Sequence, residues 1–165
     1  VLVMAHWPDL LRVLGPLVFT GWAPGEVPME LKRLVGLVSS VAGGCQYCVA
    51  HNAHGLALDG VSPAKQAAVW EFETSDQFTA AERAALRVAR GGGQVPNGVS
   101  DSELRDLLAH YSPRQVAEIV AVIGLFGFLN RWNATLRVPL EAEPRALAER
   151  DIARHGWHPG RHAAE

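Results

Sequence analysis

Recurring helix-start signals limit the fold of this chain more than any other feature. Thr79-Ala80-Ala81-Glu82, Ser100-Asp101-Ser102-Glu103 and Ser112-Pro113-Arg114-Gln115 each place a hydroxyl residue three positions before Glu or Gln, which is the pattern of a capping box. Apolar residues follow at helical spacing, and no segment alternates apolar and polar residues convincingly as a strand would. The sequence therefore predicts an all-α fold.

Proline positions and apolar periodicity predict the remaining helices. We expect these to begin near Pro8, Pro28, Cys45 and Pro63. The first is expected to be interrupted or kinked at Gly15-Pro16, and the fourth to extend to Phe72. The longest apolar helix is expected from Pro113 to about Leu136. A short helix from Pro144 to His155 is then expected to lead into a loose tail over residues 156–160.

Length and charge restrict the function class. A chain of 165 residues fits a single domain with a real core, and we expect residues 1–141 to form it and residues 142–165 to add a C-terminal helix and tail. The net charge of −2 and the lack of a basic stripe predict that nucleic acid is not a partner.

Hydropathy predicts a soluble protein rather than a membrane protein. No uncharged apolar run reaches the roughly 18 residues that a membrane span needs, since Glu118 interrupts the longest candidate, Val116 to Leu129. No secretory signal is visible. The chain begins at Val1 rather than Met, which leaves open whether further residues precede it. With two cysteines spaced for redox work, the cytoplasm is the expected compartment.

Cys45-Gln46-Tyr47-Cys48 is the feature that most restricts the chemistry. These are the only two cysteines, they follow Gly43-Gly44, and a helical pattern follows them. At the start of a helix, the first-turn N–H groups and the helix dipole favour a thiolate over a thiol. The spacing lets one sulfur attack the other once the first is oxidised. The pair therefore predicts thiol–disulfide or peroxide chemistry.

Three other interpretations of the cysteine pair stay open at this point. His51 and His54 would complete a four-ligand zinc site, although zinc-finger spacing separates the two ligand pairs by about a dozen residues. A structural disulfide would close a very small loop, and its entropic gain falls with loop size. The two cysteines would otherwise be unrelated buried residues. We favour redox chemistry, with no metal and no cofactor.

Three stretches of the sequence resemble one known family. Residues 34–52, which contain the cysteine pair and both flanks, resemble the core of the alkylhydroperoxidase D (AhpD) / carboxymuconolactone decarboxylase family. Residues 126–141 resemble the end of the long helix in the peroxidase-related branch of that family, and residues 4–10 resemble its first helix. The resemblance implies an AhpD-like helical fold, assembly into trimers or hexamers, and a dithiol that reduces peroxides.

The resemblance also implies roles for the two thiols. In the family pattern, a glutamate twelve residues before the first cysteine and a histidine four residues after the second form a water-mediated relay. The relay deprotonates the second cysteine, which corresponds to Cys48 and attacks the peroxide. The first cysteine, which corresponds to Cys45, then resolves the product to a disulfide. Members without the dithiol include the decarboxylase itself, so the dithiol argues against decarboxylation.

The sequence departs from this pattern at both relay positions. Arg33 stands twelve residues before Cys45, and Asn52 stands four residues after Cys48. Tyr47 stands where some members carry a histidine between the cysteines. The dithiol therefore carries over from the family, but the relay does not carry over intact.

Five residues are candidates to support the thiols instead, and one of them is Asn52 at the position of the family histidine. Arg33 would favour a thiolate at Cys48 through its charge, or else faces solvent or pairs with Glu30. Glu30 would take the carboxylate role, or is a surface acid. His51 shares a helix face with Cys48 and would act as base or hydrogen-bond partner, or packs structurally. Tyr47 would donate a hydrogen bond to a bound peroxide, or packs as an ordinary aromatic residue.

The sequence thus predicts an enzyme, a dithiol-dependent peroxidase that reduces hydroperoxides. The chain has no G-x-G-x-x-G fingerprint for nicotinamide or flavin, so an external thiol or dithiol is the expected electron donor. One alternative is a redox-sensing or disulfide-exchange protein without useful peroxidase turnover. Another is a non-redox binding protein. Because the predicted helix from Pro113 to Leu136 is apolar on more than one face, we expect a homo-oligomer.

Overall fold

The computed structural model describes residues 2–163, and in this part of the chain helices are joined by turns and loops, with no strand. The α-helices are Pro8–Trp22 (α1), Met29–Ala42 (α2), Gln46–Leu58 (α3), Pro63–Ala68 (α4), Ala80–Gly93 (α5), Asp101–His110 (α6), Pro113–Leu136 (α7) and Ala142–Asp151 (α8). Short 3-10 helices cover Leu2–His6, Val69–Glu71, Ala153–His155 and Gly160–His162. The predicted all-α fold is confirmed.

All three predicted capping boxes form. In each, the hydroxyl accepts a hydrogen bond from the backbone N–H three residues later, and the side chain of that later residue accepts one from the backbone N–H of the cap. Two N–H groups that the helix cannot satisfy are thereby paired at the start of α5, α6 and α7. These helices begin where the sequence predicts.

Three predicted helix boundaries differ from the structure. Helix α8 spans Ala142–Asp151 and is followed by a separate 3-10 turn, instead of running from Pro144 to His155. Helix α1 continues through Pro16 to Trp22, because a proline removes one N–H donor while the neighbouring turns keep theirs. Helix α4 ends at Ala68, and the chain tightens into a 3-10 turn before Phe72.

Helix α2 lies at the centre of the molecule and packs against α3, α5 and α7. Leu34 and Val35 are fully buried there. A Cβ atom on Gly36 would lie 2.6 Å from the ring of Phe126 on α7, and one on Gly55 of α3 would lie 2.8 Å from the guanidinium of Arg33. The Phe126 ring leaves no room for a side chain at position 36, so glycine there allows α2 to approach α7 closely. The neighbour of Gly55 is the end of a flexible arginine side chain, which is able to move.

Helix α7 is the one described helix that is long and apolar enough to cross a membrane by length and composition. A core helix of a folded domain passes the same test. One face of α7, including Ile119, Val122 and Phe126, is buried against the rest of the fold. This helix therefore serves as a core element within the described fold, as the sequence indicates.

The segment after α8 is packed rather than loose, so that prediction is wrong. Trp157 is buried, and its Nε1 donates a hydrogen bond to the carbonyl of Gln46 at 3.0 Å. His162 is also buried, with Nδ1 2.8 Å from the carbonyl of Val138. Glycine and proline in this segment are typical of a loop, but its aromatic side chains bury apolar surface against α3. The C-terminal segment thus covers the start of α3.

A buried ion pair joins α2 to α7. Lys32 Nζ lies 3.3 Å from Glu118 Oε2 and donates to the carbonyl of Ala23 at 2.9 Å. Glu118 accepts further hydrogen bonds from the backbone N–H groups of Glu26 and Val27. The side chain of Lys32 is only 3% exposed and that of Glu118 11%, so each charge depends on the other. The pair fixes the α1–α2 loop onto α7.

We expect Glu118→Gln to lower the free energy of unfolding by about 3 kcal/mol at neutral pH, because it leaves the charge of Lys32 buried without a carboxylate. The hydrogen bond from Arg114 lowers the pKa of Glu118 to about 2. Burial opposes this shift, and the hydrogen bonds from Glu26, Val27 and Lys32 add to it. An unfolded glutamate has a pKa of about 4.3. The stabilisation is therefore present above pH 4.3 and is lost as the pH falls towards 2.

Urea unfolding of the wild type and the variant between pH 7 and pH 2 measures this contribution. Glu149→Gln is the matched control, since Glu149 pairs with Arg145 on an exposed helix surface. Its expected effect is below about 0.5 kcal/mol. Equal losses for Glu118→Gln and Glu149→Gln, or a difference independent of pH, would contradict the assignment.

Candidate active site

The turn between α2 and α3 places Cys45 at the N-cap of α3. Gly44 adopts φ 71°, a conformation that favours glycine, and lets the chain reverse directly from one helix into the next. The Sγ atom of Cys45 then accepts a hydrogen bond from the backbone N–H of Cys48 at 3.4 Å. The predicted C-x-x-C at a helix N-terminus is confirmed. Both cysteines are free thiols, with residue exposures of 0% and 2%.

The two thiols differ in their electrostatic surroundings. The thiol of Cys48 donates a hydrogen bond to Cys45, and this hydrogen bond lowers the pKa of Cys45 below its ordinary value. Burial opposes the shift, whereas hydrogen bonds from the backbone N–H groups of Cys48 and Tyr47 lower the pKa further. The same hydrogen bond, followed by burial and the charge on Cys45, raises the pKa of Cys48, while Asn133 works in the opposite direction. The pair therefore favours a thiolate at Cys45 and a protonated thiol at Cys48.

This polarity differs from the order that the family resemblance implies. The resemblance gives the attacking role to Cys48, which depends on the relay of glutamate and histidine. With that relay replaced, the hydrogen bond from the Cys48 side chain is the largest influence on the pKa of Cys45, and the first-turn N–H groups at the N-cap add to it. Both influences favour ionisation of Cys45 over Cys48.

Two asparagines contact Cys48 in different ways. Asn133 on α7 donates from Nδ2 to the Sγ atom of Cys48 at 3.3 Å. Asn52, at the position of the family histidine, donates from Nδ2 to the backbone carbonyl of Cys48 at 2.9 Å. Asn52 is fully buried against α2, so its amide serves helix packing rather than the sulfur.

A polar cluster lies beside the cysteines, where α3 meets the start of α8. The carboxylate of Glu141 accepts a hydrogen bond from the Tyr47 hydroxyl at 3.0 Å, and its other oxygen lies 2.8 Å from Nε2 of His51. The rings of Tyr47 and His51 lie 4.4 Å apart. The predicted residues Tyr47 and His51 thus come together, but they meet at Glu141 and not at a sulfur atom.

Burial and the hydrogen bonds of Glu141 shift two pKa values in this cluster. Burial, and then the contact with Glu141, raises the pKa of Tyr47, so the phenol stays protonated and donates. Burial tends to raise the pKa of Glu141, but hydrogen bonds from its own N–H, from His51 and from Tyr47 outweigh burial and lower it. Glu141 is therefore ionised at neutral pH and holds two proton donors in place.

Arg33 and Glu30 lie away from the thiols. Arg33 donates to Asp59 at 3.0 Å and stacks over the ring of Trp22 at 4.3 Å. Glu30 pairs with Lys65 at 2.5 Å. Arg33 contacts neither Cys48 nor Glu30, and its side chain is half-buried between Asp59 and Trp22 rather than facing solvent. The structure thus gives both residues packing and ion-pair roles along α2.

The zinc interpretation has no geometric support in the described part of the chain. Over residues 2–163, no group of three or more His, Cys, Asp or Glu side chains is placed to hold a metal ion. His51 contacts Glu141, and the two cysteine thiols are hydrogen-bonded to one another. The four candidate ligands therefore do not converge.

Asn133 and Glu141 are the site residues that sequence reasoning missed. They lie 85 residues from Cys48 and 90 residues from His51 respectively, so no local pattern connects them to the cysteines. Both fall in the stretch 126–141 that carries the family resemblance. That resemblance was the available signal, but it identifies a segment and does not say which side chains reach the sulfur atoms.

Comparison with known proteins is consistent with this geometry. The model of the carboxymuconolactone decarboxylase family matches residues 8–91. The curated protein YnjA of Escherichia coli (strain K12) is 30% identical over 127 residues, which cover 75% of this chain and 70% of YnjA.

Two solved structures extend the comparison. The debrominase Bmp8 is 38% identical, with a TM-score of 0.85 over 88% of this chain and 78% of Bmp8. A cysteine-to-alanine variant of Bmp8 has been solved in complex with 2,3,4-tribromopyrrole. A protein of unknown function from Agrobacterium tumefaciens, a candidate antioxidant defence protein AhpD, superposes with a TM-score of 0.78 at 22% identity, over 86% of this chain and 97% of that protein. The last match establishes the shared AhpD-like fold.

We expect alkylation of the reduced protein to separate the two thiols by pH. A thiolate reacts and a thiol does not, so the lowered pKa of Cys45 moves its rate profile to lower pH. Its midpoint should lie below the ordinary thiol value of about 8.5. Cys48 should react only at strongly alkaline pH. Peptide mass spectrometry after brief iodoacetamide treatment at each pH measures both profiles.

His51→Gln provides the control for this profile. Because His51 contacts Glu141 and lies one turn beyond Cys48, its replacement should leave the Cys45 midpoint unchanged. A profile in which Cys48 ionises first would reverse the assignment. A midpoint that rises in His51→Gln would place the imidazole in direct contact with the thiols.

Proposed function

The chain belongs to the carboxymuconolactone decarboxylase family, and from that premise we propose that it is a dithiol reductase, with hydroperoxides as its first candidate substrates. The observation that supports this proposal most directly is the polarised pair itself. Cys45 accepts hydrogen bonds at a helix N-terminus, and Cys48 stands beside it as a protonated thiol. A thiolate next to a second thiol is the arrangement that two-electron reduction by a dithiol requires.

In the first step of the proposed cycle, the Cys45 thiolate attacks a peroxide oxygen. An S–O bond forms, the O–O bond breaks, and the departing alkoxide takes a proton to become an alcohol. Cys45 is thereby oxidised by two electrons to a sulfenic acid. The backbone N–H groups at the start of α3 favour the ionised sulfur before the attack.

In the second step, Cys48 attacks the sulfur of the sulfenic acid. An S–S bond forms, the S–O bond breaks, and hydroxide leaves as water with the proton from Cys48. An external thiol or dithiol then reduces the disulfide by exchange and is itself oxidised. This cycle needs no resident cofactor, and each turnover transfers two electrons from donor to peroxide.

The proposal gives His51 and Tyr47 a supporting role through Glu141. The imidazole is partly exposed, with 38% side-chain exposure. Tyr47 connects the two regions, because its backbone N–H supports the Cys45 sulfur and its hydroxyl binds Glu141. In this scheme His51 supplies protons to the leaving oxygen, and His51→Gln should slow turnover at neutral pH without changing which thiol is ionised.

Reductive debromination of an aromatic ring is a second candidate function. It is favoured by the 38% identity to the debrominase Bmp8 over most of both chains. The overall reaction balances with the same dithiol: an aryl bromide and two thiols give the debrominated ring, hydrogen bromide and a disulfide. Because both candidates use the same two cysteines, the substrate assay must separate them.

The test supplies the reduced protein with tert-butyl hydroperoxide or 2,3,4-tribromopyrrole, each with dithiothreitol as donor. We expect repeated peroxide consumption by the wild type. In a separate reaction without dithiothreitol, Cys48→Ser should consume about one equivalent and stop at the sulfenic acid, since the resolving thiol is missing. Cys45→Ser should consume almost none. Peroxide loss, bromide release and intact mass are the measurements.

Each outcome assigns a different activity. Bromide release without peroxide turnover would identify a dehalogenase and overturn the peroxidase proposal. One round of disulfide formation without turnover would favour the redox-sensing or disulfide-exchange alternative. If neither substrate oxidises the cysteines, the dithiol reductase proposal fails.

We also propose that the active form is a cytoplasmic homo-oligomer, a trimer or hexamer. The outer face of α7 exposes Val120, Phe128 and Leu136 around a concavity of about 860 Å³. Contiguous exposed apolar surface of this kind usually marks an interface. Light scattering at micromolar concentration should give a multiple of the 17.8 kDa chain mass. A monomeric mass that persists at higher concentration would contradict the assembly.

A further inference from the structure

Within the described structure, Asn133 is the one side chain besides Cys45 that forms a hydrogen bond with the sulfur of Cys48. Its Nδ2 lies 3.3 Å from Sγ, within the range of an N–H···S hydrogen bond. Helix α7 brings it there from the far side of the site, where its neighbours on the same face, Phe126 and Asn130, are buried. The contact is thus positioned by a core helix and not by a mobile loop.

The Asn133 amide faces Cys48 with its nitrogen, so it donates to the sulfur and does not accept from it. Cys48 in turn contacts Cys45, because its backbone N–H donates to the Cys45 sulfur at 3.4 Å. Asn133, Cys48 and Cys45 are thereby linked by successive hydrogen bonds.

We propose that Asn133 is a catalytic residue that stabilises Cys48 whenever its sulfur is ionised. This inference rests on the dithiol cycle proposed above and adds a role that the family relay does not contain. A relay of histidine and glutamate removes a proton, but an amide does not titrate and only donates a hydrogen bond. Asn133 therefore does not act as a base.

Two steps of the cycle pass through an ionised Cys48. In resolution, Cys48 attacks the sulfur of the Cys45 sulfenic acid and must release its proton. In reduction, a donor thiolate attacks Cys45, the S–S bond breaks, and Cys48 leaves as a thiolate before it takes a proton. A hydrogen bond to the ionised sulfur speeds both steps, because a lower leaving-group pKa accelerates exchange. The initial attack of Cys45 on the peroxide does not require an ionised Cys48.

The role predicts a selective defect in Asn133→Leu, which keeps the side-chain size and removes the donor. Formation of the Cys45 sulfenic acid should stay within about threefold of wild type, whereas disulfide formation should slow about tenfold, as expected for loss of a hydrogen bond to an ionised group. Stopped-flow mixing with hydrogen peroxide, with dimedone to trap the sulfenic acid, measures the two phases separately. The trapped species should accumulate in the variant.

Equilibration with a dithiothreitol redox buffer tests the same contact without any substrate. In the reduced protein Asn133 donates to a neutral thiol, so loss of the donor should shift the balance between dithiol and disulfide only about threefold toward the disulfide, which corresponds to about 14 mV for a two-electron couple. This measurement distinguishes the inference from the proposed function, because the equilibrium exists whether or not the protein turns over peroxide.

Three further variants make the result decisive. Asn133→Gln keeps the amide donor and should restore part of the resolution rate. Asn133→Asp keeps the shape but replaces the donor by a carboxylate, so it should slow resolution at least as much as Asn133→Leu. It also tests the role if the leucine variant does not fold. Asn130→Leu makes the same change one turn earlier on α7 and should leave the midpoint potential unchanged.

The inference is overturned if Asn133→Leu and Asn133→Asp resolve the sulfenic acid at the wild-type rate. It is also overturned if Asn130→Leu shifts the dithiol equilibrium as much as Asn133→Leu, because the effect would then come from helix packing. A defect confined to the first phase would assign Asn133 to the attack by Cys45 instead.

Discussion

The hydrogen bond from the backbone N–H of Cys48 to the sulfur of Cys45 is the interaction on which the site depends. It exists because α2 reverses directly into α3 at Gly44, which puts Cys45 at the cap and Cys48 in the first turn. One bond therefore completes a helix terminus and polarises a dithiol. The close packing of α2 at Gly36 supports the same arrangement, because a larger residue there would push α3 and α7 apart.

The parts of the fold that the sequence predicts are the parts determined locally. Capping boxes, a proline in the first turn and apolar periodicity act within a few residues, and α5, α6 and α7 begin where those signals stand. The tail after α8 shows the limit of such signals. Its glycines and prolines indicate a loop correctly, but the burial of Trp157 depends on a surface that α3 supplies from more than a hundred residues away.

The candidate site is predictable to the same extent. Cys45 and Cys48 follow from spacing alone, and Tyr47 and His51 lie on the same helix. Their partners do not follow, since Glu141 and Asn133 reach them through the packing of α7 and α8 on α3. Charge alone was also misleading for Arg33, because a nearby carboxylate and an aromatic face satisfy a guanidinium better than a buried sulfur does.

The replacement of the family relay changes how the dithiol must work. A titrating relay activates the second cysteine by removing its proton, so the reactive sulfur is the one that the base reaches. Asn52 and Asn133 stand beside Cys48 instead, and an amide does not take a proton. The hydrogen bonds from the Cys48 side chain and from the first-turn N–H groups then favour the thiolate at Cys45. In the proposed cycle, Cys48 is therefore the sulfur whose ionisation must be stabilised when it attacks or leaves.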